Sequence, residues 1–427
     1  MRKAIVFITC VCVLSNLFGQ KLWTLKQCIE YAQQNNLEVK ANKFQDTIAA
    51  DNILTAKAAW LPSLSFSSGQ NYSYTNHTND GIYNASYGLN ANMSLYDGGK
   101  IQNNIKEKNL QKEITAVGVT QSEHNIMLNI LQTYIQILYA KEAITTAESN
   151  LQLSTKTLER AKELVKAGSM SNVDYAMLES EYADYNYRLT EAQNTYEKQK
   201  LQLKKLMYLH ENIEIKEIPI DEDDILIPLN DVNTIYQKAL TFVPDVLAAN
   251  KDKELADLQV RTAQSGYYPN VSLSAGINTG HNSANDEQIM KQLKNSVYEN
   301  VGLSISIPIY DKRQTRGSVM NAKNQVLIAE NNIEDVEEDL LTTIEELHLD
   351  CLSYQNSYAS AKANLDAAQK SYDLVEQQFE LGMKNIIELL NQRTSLTSAQ
   401  QNILQIKYQT LMKIKLLDYY QQKEIDL

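Results

Sequence analysis

Cysteine is scarce in this sequence, and its distribution excludes one class of exported protein. The 427 residues contain four cysteines, of which Cys10 and Cys12 lie in the apolar leader described below. The rest of the chain contains only Cys28 and Cys351. Two cysteines in a chain of this size cannot supply a disulfide framework, so a disulfide-rich secreted domain is excluded.

Long apolar runs are also missing beyond the first residues. The chain begins with MRK, continues with a mainly apolar run from Ala4 to Leu14, and reaches the small residue Gly19. This order predicts a secretory signal peptide over residues 1–19. No later segment approaches the roughly 18 apolar residues of a spanning helix, and no lipidation signal precedes a cysteine. We therefore expect an exported chain without a helical or lipid anchor.

Positive charge is in deficit, because the chain has a formal net charge of −12 at pH 7. An acidic chain repels the phosphates of nucleic acid, so nucleic acid is not an expected partner. The acidic run from Asp221 to Asp224 offers cation ligands, but a solvated loop is the simpler interpretation.

Groupings of catalytic residues are absent as well. No two histidines stand at the i, i+4 spacing of a helical metal site, and none groups with serine, cysteine or aspartate. The segment DGGK at 97–100 lacks the flanking glycines and the Ser/Thr of a phosphate-binding loop. We therefore predict neither an enzyme nor a metal or cofactor site. The scattered histidines are His77, His124, His210, His281 and His348.

The sequence does contain an uncharged strand pattern. From Ala85 to Leu95 the odd positions are apolar or aromatic, and the even positions are asparagine, serine or glycine. This period of two is typical of a strand with one apolar and one small polar face. A weaker version precedes it, and two further alternating stretches follow residue 270. We predict four strands in two hairpins, at about 63–96 and 270–310.

The two hairpins belong to an internal duplication. The segment AAWLPSLSFSSG at 58–69 resembles SGYYPNVSLSAG at 265–276, and SLYDGGK at 94–100 resembles PIYDKRQ at 308–314. The offset between the copies grows from 207 to 214 residues between these two markers. The second hairpin is therefore longer by seven residues, which we interpret as a longer loop.

Each copy also contains an apolar heptad pattern, typical of coiled-coil packing. It runs from Ile126 to Val165 in the first copy and from Leu340 to Phe379 in the second. Cys351 stands at one of these positions, where we expect a small buried side chain. Each long helix is predicted to end at a glycine, Gly168 or Gly382, before a second helix returns.

The predicted organisation is two structural repeats joined by a linker. Shorter helices precede the strands, with breaks near Asn36 and at Pro244. The predicted segments are a signal peptide at 1–19; a first repeat at 20–214, with a strand hairpin at about 63–96 and a helical hairpin at about 101–210; a non-helical acidic linker at 215–230; and a second repeat at 231–427, with a strand hairpin at about 270–310 and a helical hairpin at about 313–423.

The strand faces indicate the environment of the sheet. An apolar face, a small polar face and tyrosines at both strand ends are typical of a membrane β-barrel. Four strands cannot stand open in lipid, and an eight-stranded barrel is filled by side chains. Serine, glycine and asparagine are too small to fill it, so three chains sharing twelve strands are the smallest closure that fits. A soluble hairpin lying on a helical bundle is the alternative.

The order of these segments resembles the TolC-like outer membrane efflux proteins over essentially the whole mature chain. The most specific part is FELGMKNIIELLNQRTSL at 379–396. The resemblance implies a mostly α fold with a pair of membrane β-hairpins. Long coiled-coil-like α-hairpins would form an α-barrel, and four strands per chain would contribute to a trimeric twelve-stranded transmembrane β-barrel.

The same resemblance implies a function and partners. It implies a homotrimeric channel-tunnel in the outer membrane of a Gram-negative cell, with a periplasmic helical extension that tapers to a closed end. Its partners would be outer membrane lipid, a periplasmic adaptor (membrane fusion) protein and an inner-membrane transporter. We expect passive export of small molecules or proteins. An exported coiled-coil scaffold or adhesin without a pore is the alternative, and it would need no detergent after export.

The resemblance also implies roles for residues near the helix turns. Two acidic positions that face the pore in the family fall on Glu388 and Asn391, and only Glu388 keeps the charge. A basic residue that holds the closed end together matches Lys384, with Asp174 as its acidic partner. A tyrosine of the same closure matches Phe379, which lacks the hydroxyl group, so we do not expect that hydrogen bond. Adaptor docking is expected at the two turns, namely at Gly168, Ser169, Gly382 and Met383.

Overall fold

The computed structural model describes residues 22–75 and 80–423, and most of these are helical. The signal peptide predicted for 1–19 lies outside the described residues. In chain order the elements are β1 (Leu22–Trp23), α1 (Leu25–Asn35), α2 (Leu37–Ala58), β2 (Ser63–Thr75), β3 (Asp80–Tyr96), α3 (Lys100–Lys166), α4 (Asn172–Met207), β4 (Glu214–Ile215), α5 (Val232–Ala239), α6 (Pro244–Gln264), β5 (Asn270–Asn282), α7 (Ile289–Asn295), β6 (Tyr298–Ser306), α8 (Gln314–Glu380) and α9 (Ile386–Tyr420). The predicted fold class, mostly α with two β-hairpins, is confirmed.

The described chain divides into two compact units, and each takes segments from both halves of the sequence. The first unit comprises residues 22–41, 120–243 and 337–423, and the second comprises 42–75, 80–119 and 244–336. In the part of the chain that the structure describes, no helix combines the length and the apolar character needed to cross a membrane.

Burial along the long helices of the first unit confirms the heptad prediction. All predicted heptad positions from Ile126 to Val165 and from Leu340 to Phe379 are buried or half-buried. Cys351 is fully buried among them, as expected, and Cys28 is fully buried on α1. Both thiols are unpaired, and burial raises the pKa of each to about 12, so neither forms a reactive thiolate near neutral pH.

Both predicted helix breaks are present, and each has a local cause. Asn36 separates α1 from α2, where its side-chain oxygen accepts hydrogen bonds from the backbone N–H of Glu38 at 2.8 Å and of Val39 at 3.3 Å. Asn36 thereby caps the start of α2. Pro244 is the first residue of α6, a position where the missing N–H costs no helical hydrogen bond.

The acidic linker was expected to be non-helical, and this prediction is wrong in detail. Glu222–Asp224 form one turn of 3₁₀ helix, which begins at Asp221. The Asp221 N–H donates to the Asp224 carboxylate at 2.9 Å, so the acidic run caps its own turn. Its side chains are exposed, in agreement with a solvated segment, and Glu222 pairs with Lys362.

The second unit contains a four-stranded antiparallel sheet in the order β2-β3-β5-β6. The two hairpins are joined edge to edge, because β3 of the first pairs with β5 of the second. The register aligns Phe66 with Leu89, Leu89 with Ile277, and Leu273 with Leu303. Like faces therefore continue across all four strands.

Two predictions for the second hairpin need correction. β6 ends at Ser306, whereas the alternating pattern predicted a strand to about Tyr310. Pro308 explains the early end, because proline has no N–H for a strand ladder. The extra length of this hairpin is not only loop, since α7 folds between β5 and β6.

Candidate functional site

The sheet has one apolar face that is open in the single chain. Leu64, Phe66 and Leu303 are between 61% and 71% exposed, and Val301 is 78% exposed. Among the described residues this mainly apolar surface runs across four strands and is most exposed on the outer strands β2 and β6, and Glu299, aligned with Ile277, brings a charge to it at the hairpin end. Contiguous apolar surface of this kind marks an interface with lipid or protein.

The opposite face is built from small polar side chains that bond to one another. The Asn278 amide donates to the Asn300 side-chain oxygen at 3.2 Å, and the Asn90 amide donates to the Ser67 hydroxyl at 3.3 Å. A Cβ atom at Gly276 would lie 2.8 Å from the Asn300 oxygen, so glycine makes room for this amide network. The face is therefore hydrophilic, uncharged and shallow.

Both outer edges of the sheet are open. Among the strands that the structure describes, β2 pairs only with β3, and β6 pairs only with β5. Unpaired strand edges present backbone donors and acceptors that another strand can complete. In lipid, where water cannot satisfy them, such edges must be closed.

The two helical turns of the first unit share one geometry. Gly168 and Gly382 have φ of +74° and +73°, a conformation that glycine adopts without strain. After the first turn, the Ser169 N–H donates to the Leu164 carbonyl at 2.9 Å, and after the second the Met383 N–H donates to the Gln378 carbonyl at 2.8 Å. These are glycine C-caps of the Schellman type, as predicted from the two glycines.

The residues after each turn cap the returning helix. The Ser171 hydroxyl accepts from the Asp174 N–H at 3.1 Å at the start of α4. At the start of α9, the Asn385 side chain accepts from the Glu388 N–H at 2.9 Å, and the Glu388 carboxylate accepts from the Asn385 N–H at 3.2 Å. Glu388 thus belongs to a reciprocal capping box.

Lys384 lies on Glu388 in the single chain. The two charged groups are 2.8 Å apart and about 40% exposed, at 37% and 41%. The Lys384 hydrogen bond, with help from the Asn385 N–H, lowers the pKa of Glu388, so its carboxylate is ionised at neutral pH. Among the described residues, Asp174 has no ion-pair partner, so the chain does not bring Lys384 and Asp174 together.

Other predicted residues of this region have distinct surroundings. Phe379 is half-buried and packs on an apolar cluster that contains Leu178, Leu389 and Tyr372. Asn391 is exposed, and its carbonyl accepts from the Ser395 hydroxyl. Ser169 and Met383 are exposed at the two turns, as a docking surface requires.

Sequence reasoning missed the most buried ionised side chain of this region. Arg393 on α9 is 2% exposed and bonds to three other helices. It donates to the Glu181 carboxylate at 2.8 Å, to the Thr157 hydroxyl at 3.0 Å and to the Tyr372 hydroxyl at 2.8 Å. The Tyr372 hydroxyl in turn donates to Glu376 at 2.7 Å. One guanidinium therefore joins α3, α4, α8 and α9.

Burial and charge act in opposite directions within this Arg393 cluster. Burial raises the pKa of Glu181, although Arg393 counteracts it. Glu181 holds the pKa of Arg393 above its usual value in spite of burial. The pattern contained one signal for this cluster, since Ile386, Leu389, Arg393 and Leu396 follow the heptad spacing and only Arg393 is charged.

Known proteins are similar to this chain in sequence and in fold. The family model of the outer membrane efflux proteins matches residues 28–207 and 235–416. TolC of Escherichia coli (strain K12) is 22% identical over 403 residues, which covers 91% of this chain and 80% of TolC. The crystal structure of CusC superposes with a TM-score of 0.77 at 16% identity, over 94% of this chain and 95% of CusC. VceC from Vibrio cholerae superposes with a TM-score of 0.75 at 16% identity, over 94% of this chain and 97% of VceC.

The family match spans both halves of the chain, including the helical turns and all four strands of the sheet, and the structural similarity shows the same fold. The chain therefore belongs to the outer membrane efflux protein family, a TolC-like factor of the outer membrane with a periplasmic helical part.

Proposed function

We propose that three copies of this chain form one channel-tunnel that conducts exported compounds passively across the outer membrane. The observation that carries this proposal is the sheet, which has an apolar face, an uncharged polar face and two open edges. The apolar face suits lipid, and the small polar face suits a water-filled lumen. Three sheets of four strands satisfy both edges and leave a lumen wider than their side chains can fill.

The helical part supplies the proposed periplasmic section and its closed end. We propose that a periplasmic adaptor docks on the two turns around Gly168 and Gly382 and connects the channel to an inner-membrane transporter. Leu381 and Met383 are 73% and 64% exposed at the second turn, which suits apolar contact with such a partner. Docking opens the channel by binding the open state more tightly than the closed state.

Lys384 is the proposed control point of the gate. Three Glu388 carboxylates would form one ring that favours cations, but each lies against its own Lys384 in the single chain. The closure implied by the family needs Lys384 on Asp174 instead. We propose that Lys384 exchanges between Glu388 and Asp174 as the closed end forms, which exposes the Glu388 ring only in the closed state.

The first test of the proposal is the mass of the particle extracted from membranes in mild detergent, followed by conductance in planar bilayers. We expect three chains per particle, found only in the detergent extract, and stepwise ionic currents from the purified particle. A soluble monomer or dimer in the periplasmic fraction would contradict the channel and favour an exported scaffold.

The same recordings test the proposed gate. Asp174→Ala with Lys384→Ala is expected to raise the basal conductance, because the closure loses its ion pair. Glu388→Gln is expected to reduce the preference of the closed channel for cations. Unchanged basal conductance in the double variant would refute the proposed closure.

A further inference from the structure

The short helix α7 occupies the place that β6 leaves vacant beside β5. β5 extends to Asn282, but its partner β6 begins only opposite Asn278. Beyond that point the Ser296 hydroxyl accepts from the Gly280 N–H at 3.3 Å and donates to the Gly280 carbonyl at 2.7 Å. The Gln292 side chain accepts from the Asn282 N–H at 3.0 Å. The α7 segment thus replaces the missing strand ladder with side-chain hydrogen bonds.

These bonds determine which way α7 faces. Backbone N–H and C=O groups at a strand edge point along the plane of the sheet. Because Gln292 and Ser296 bind those groups, α7 lies beside the end of β5. The Thr279 hydroxyl, which projects from the same face of β5 as Ile277, also donates to the Leu293 carbonyl, so α7 leans toward the apolar face of the sheet. Gln292 is 6% exposed and faces β5, whereas Met290, two positions earlier and on the other side of the helix, is 77% exposed. Met290 therefore faces away from β5.

The exposed part of α7 carries apolar side chains beside two lysines, Lys291 and Lys294. Ile289 is 58% exposed and Val297, just after the helix, is 50% exposed. The Gln292 amide also donates to the carbonyls of Asn285 and Glu287, at 3.0 and 2.7 Å, so the connection is held in a defined shape. An ordered segment that presents apolar side chains outward is built to contact a partner.

We propose that α7 is a staple between subunits, with its apolar side seated on the hairpin end of β2 in a second copy of this chain. This inference rests on the proposed trimer, in which the free edge of β6 meets the free edge of the next β2. β2 has 13 residues and β6 has nine, so β6 can pair with only part of β2. When Ser63 at the start of β2 is placed level with Ser306 at the end of β6, the last four residues of β2 extend past Tyr298 and lie level with α7.

The hairpin end of β2 has the chemistry that this contact needs. Tyr72 and Tyr74 lie there and are 67% and 54% exposed. Tyrosine offers a large apolar ring to Ile289 and Met290 and keeps its hydroxyl in water. The seven extra residues of the second hairpin thereby acquire a role, because they supply the helix that completes the junction.

Disulfide crosslinking tests the staple directly. Met290→Cys combined with Tyr72→Cys is expected to give covalently linked oligomers after mild oxidation of intact membranes, while each single variant stays unlinked. The natural cysteines Cys28 and Cys351 are buried, so they add little background. A second measurement uses Met290→Ser, which should speed dissociation of the detergent-extracted trimer about tenfold through the lost apolar contact. The matched control is Lys291→Ser on the same helix, which should leave dissociation unchanged.

The outcomes separate the staple from the trimer on which it rests. One outcome would overturn the staple and leave the proposed channel intact. In it, particles contain three chains, the cysteine pair does not crosslink, and Met290→Ser dissociates no faster than Lys291→Ser. Quenching by brominated lipid of a fluorophore attached to Met290→Cys in the trimer would also overturn it, because α7 would then face lipid. Extracted particles that contain a single chain would contradict both the trimeric channel and the staple.

Discussion

Replacing Arg393 by methionine is expected to destabilise the helical unit by about 3–5 kcal/mol. The change removes the only guanidinium of the cluster and leaves Glu181, which is 14% exposed, without its partner. It also removes a donor from Thr157 and from Tyr372. An uncompensated buried carboxylate costs more than the ion pair contributes when it is intact. Thermal unfolding followed by helical circular dichroism, with hydrogen exchange across α9, would measure the loss.

Two further variants identify the cause. Arg393→Met with Glu181→Leu should recover much of the lost stability, because an apolar pair can replace a buried ion pair at little cost. Arg188→Met is the exposed control, since Arg188 pairs with Asp184 at 2.7 Å on the surface of α4 and should change stability by less than about 1 kcal/mol. Equal losses for Arg393→Met and Arg188→Met would contradict this account.

The pH dependence of the Arg393→Met variant has a defined sign. Burial raises the pKa of Glu181 in the folded chain above the usual glutamate value of 4.5, and loss of Arg393 should raise it further. The folded state then binds a proton more tightly than the unfolded state does. Stability of the variant should therefore increase as the pH falls through that raised pKa toward 4.5.

Arginine substitutions at two neighbouring positions of β6 are expected to have opposite effects on the amount of folded trimer in the outer membrane. Leu303 lies on the apolar face, aligned with Leu273, and Ser304 lies on the polar face, aligned with Ser272. Leu303→Arg would place a guanidinium in lipid at a cost of about 2–4 kcal/mol in each copy. We expect most of this variant to be absent from the folded trimers of the outer membrane fraction, as judged by heat-modifiable migration on gels.

Ser304→Arg is the matched substitution on the other face. The guanidinium would project into the proposed lumen, where water solvates it, so folded trimers should form in normal amounts. Three such groups should lower the cation preference and the conductance in planar bilayers. Equal accumulation of both variants would mean that the two faces do not separate lipid from water.

Local pattern was enough for several features of the fold. The alternation from Ala85 to Leu95 predicted β3 and its two faces, because side chains on a strand point to alternate sides whatever the rest of the chain does. The heptad positions predicted which sides of α3 and α8 are buried, and Gly168 and Gly382 predicted both helix ends. Each of these inferences depends on residues within a few positions of one another.

Features that join distant segments were not predicted from the chain alone. The pairing of β3 with β5 joins residues near 90 to residues near 276, and nothing in either alternation says which strand its partner is. The short helix α7 was expected only as loop length, because its seven residues are stabilised by Gln292 and Ser296 on the edge of β5. The early end of β6 required weighing Pro308 against a continuing alternation.

The candidate functional residues show the same division between what the sequence predicted and what only the tertiary structure placed. The sequence alone indicated the repeats, the strand faces, the helical hairpins and the family, since all of these follow from periodicity and local residue type. Only the tertiary structure placed Lys384 on Glu388, Phe379 in an apolar cluster and Arg393 against Glu181. Arg393 and Glu181 are 212 residues apart in the chain, and a buried charge finds its partner through the packing of whole helices.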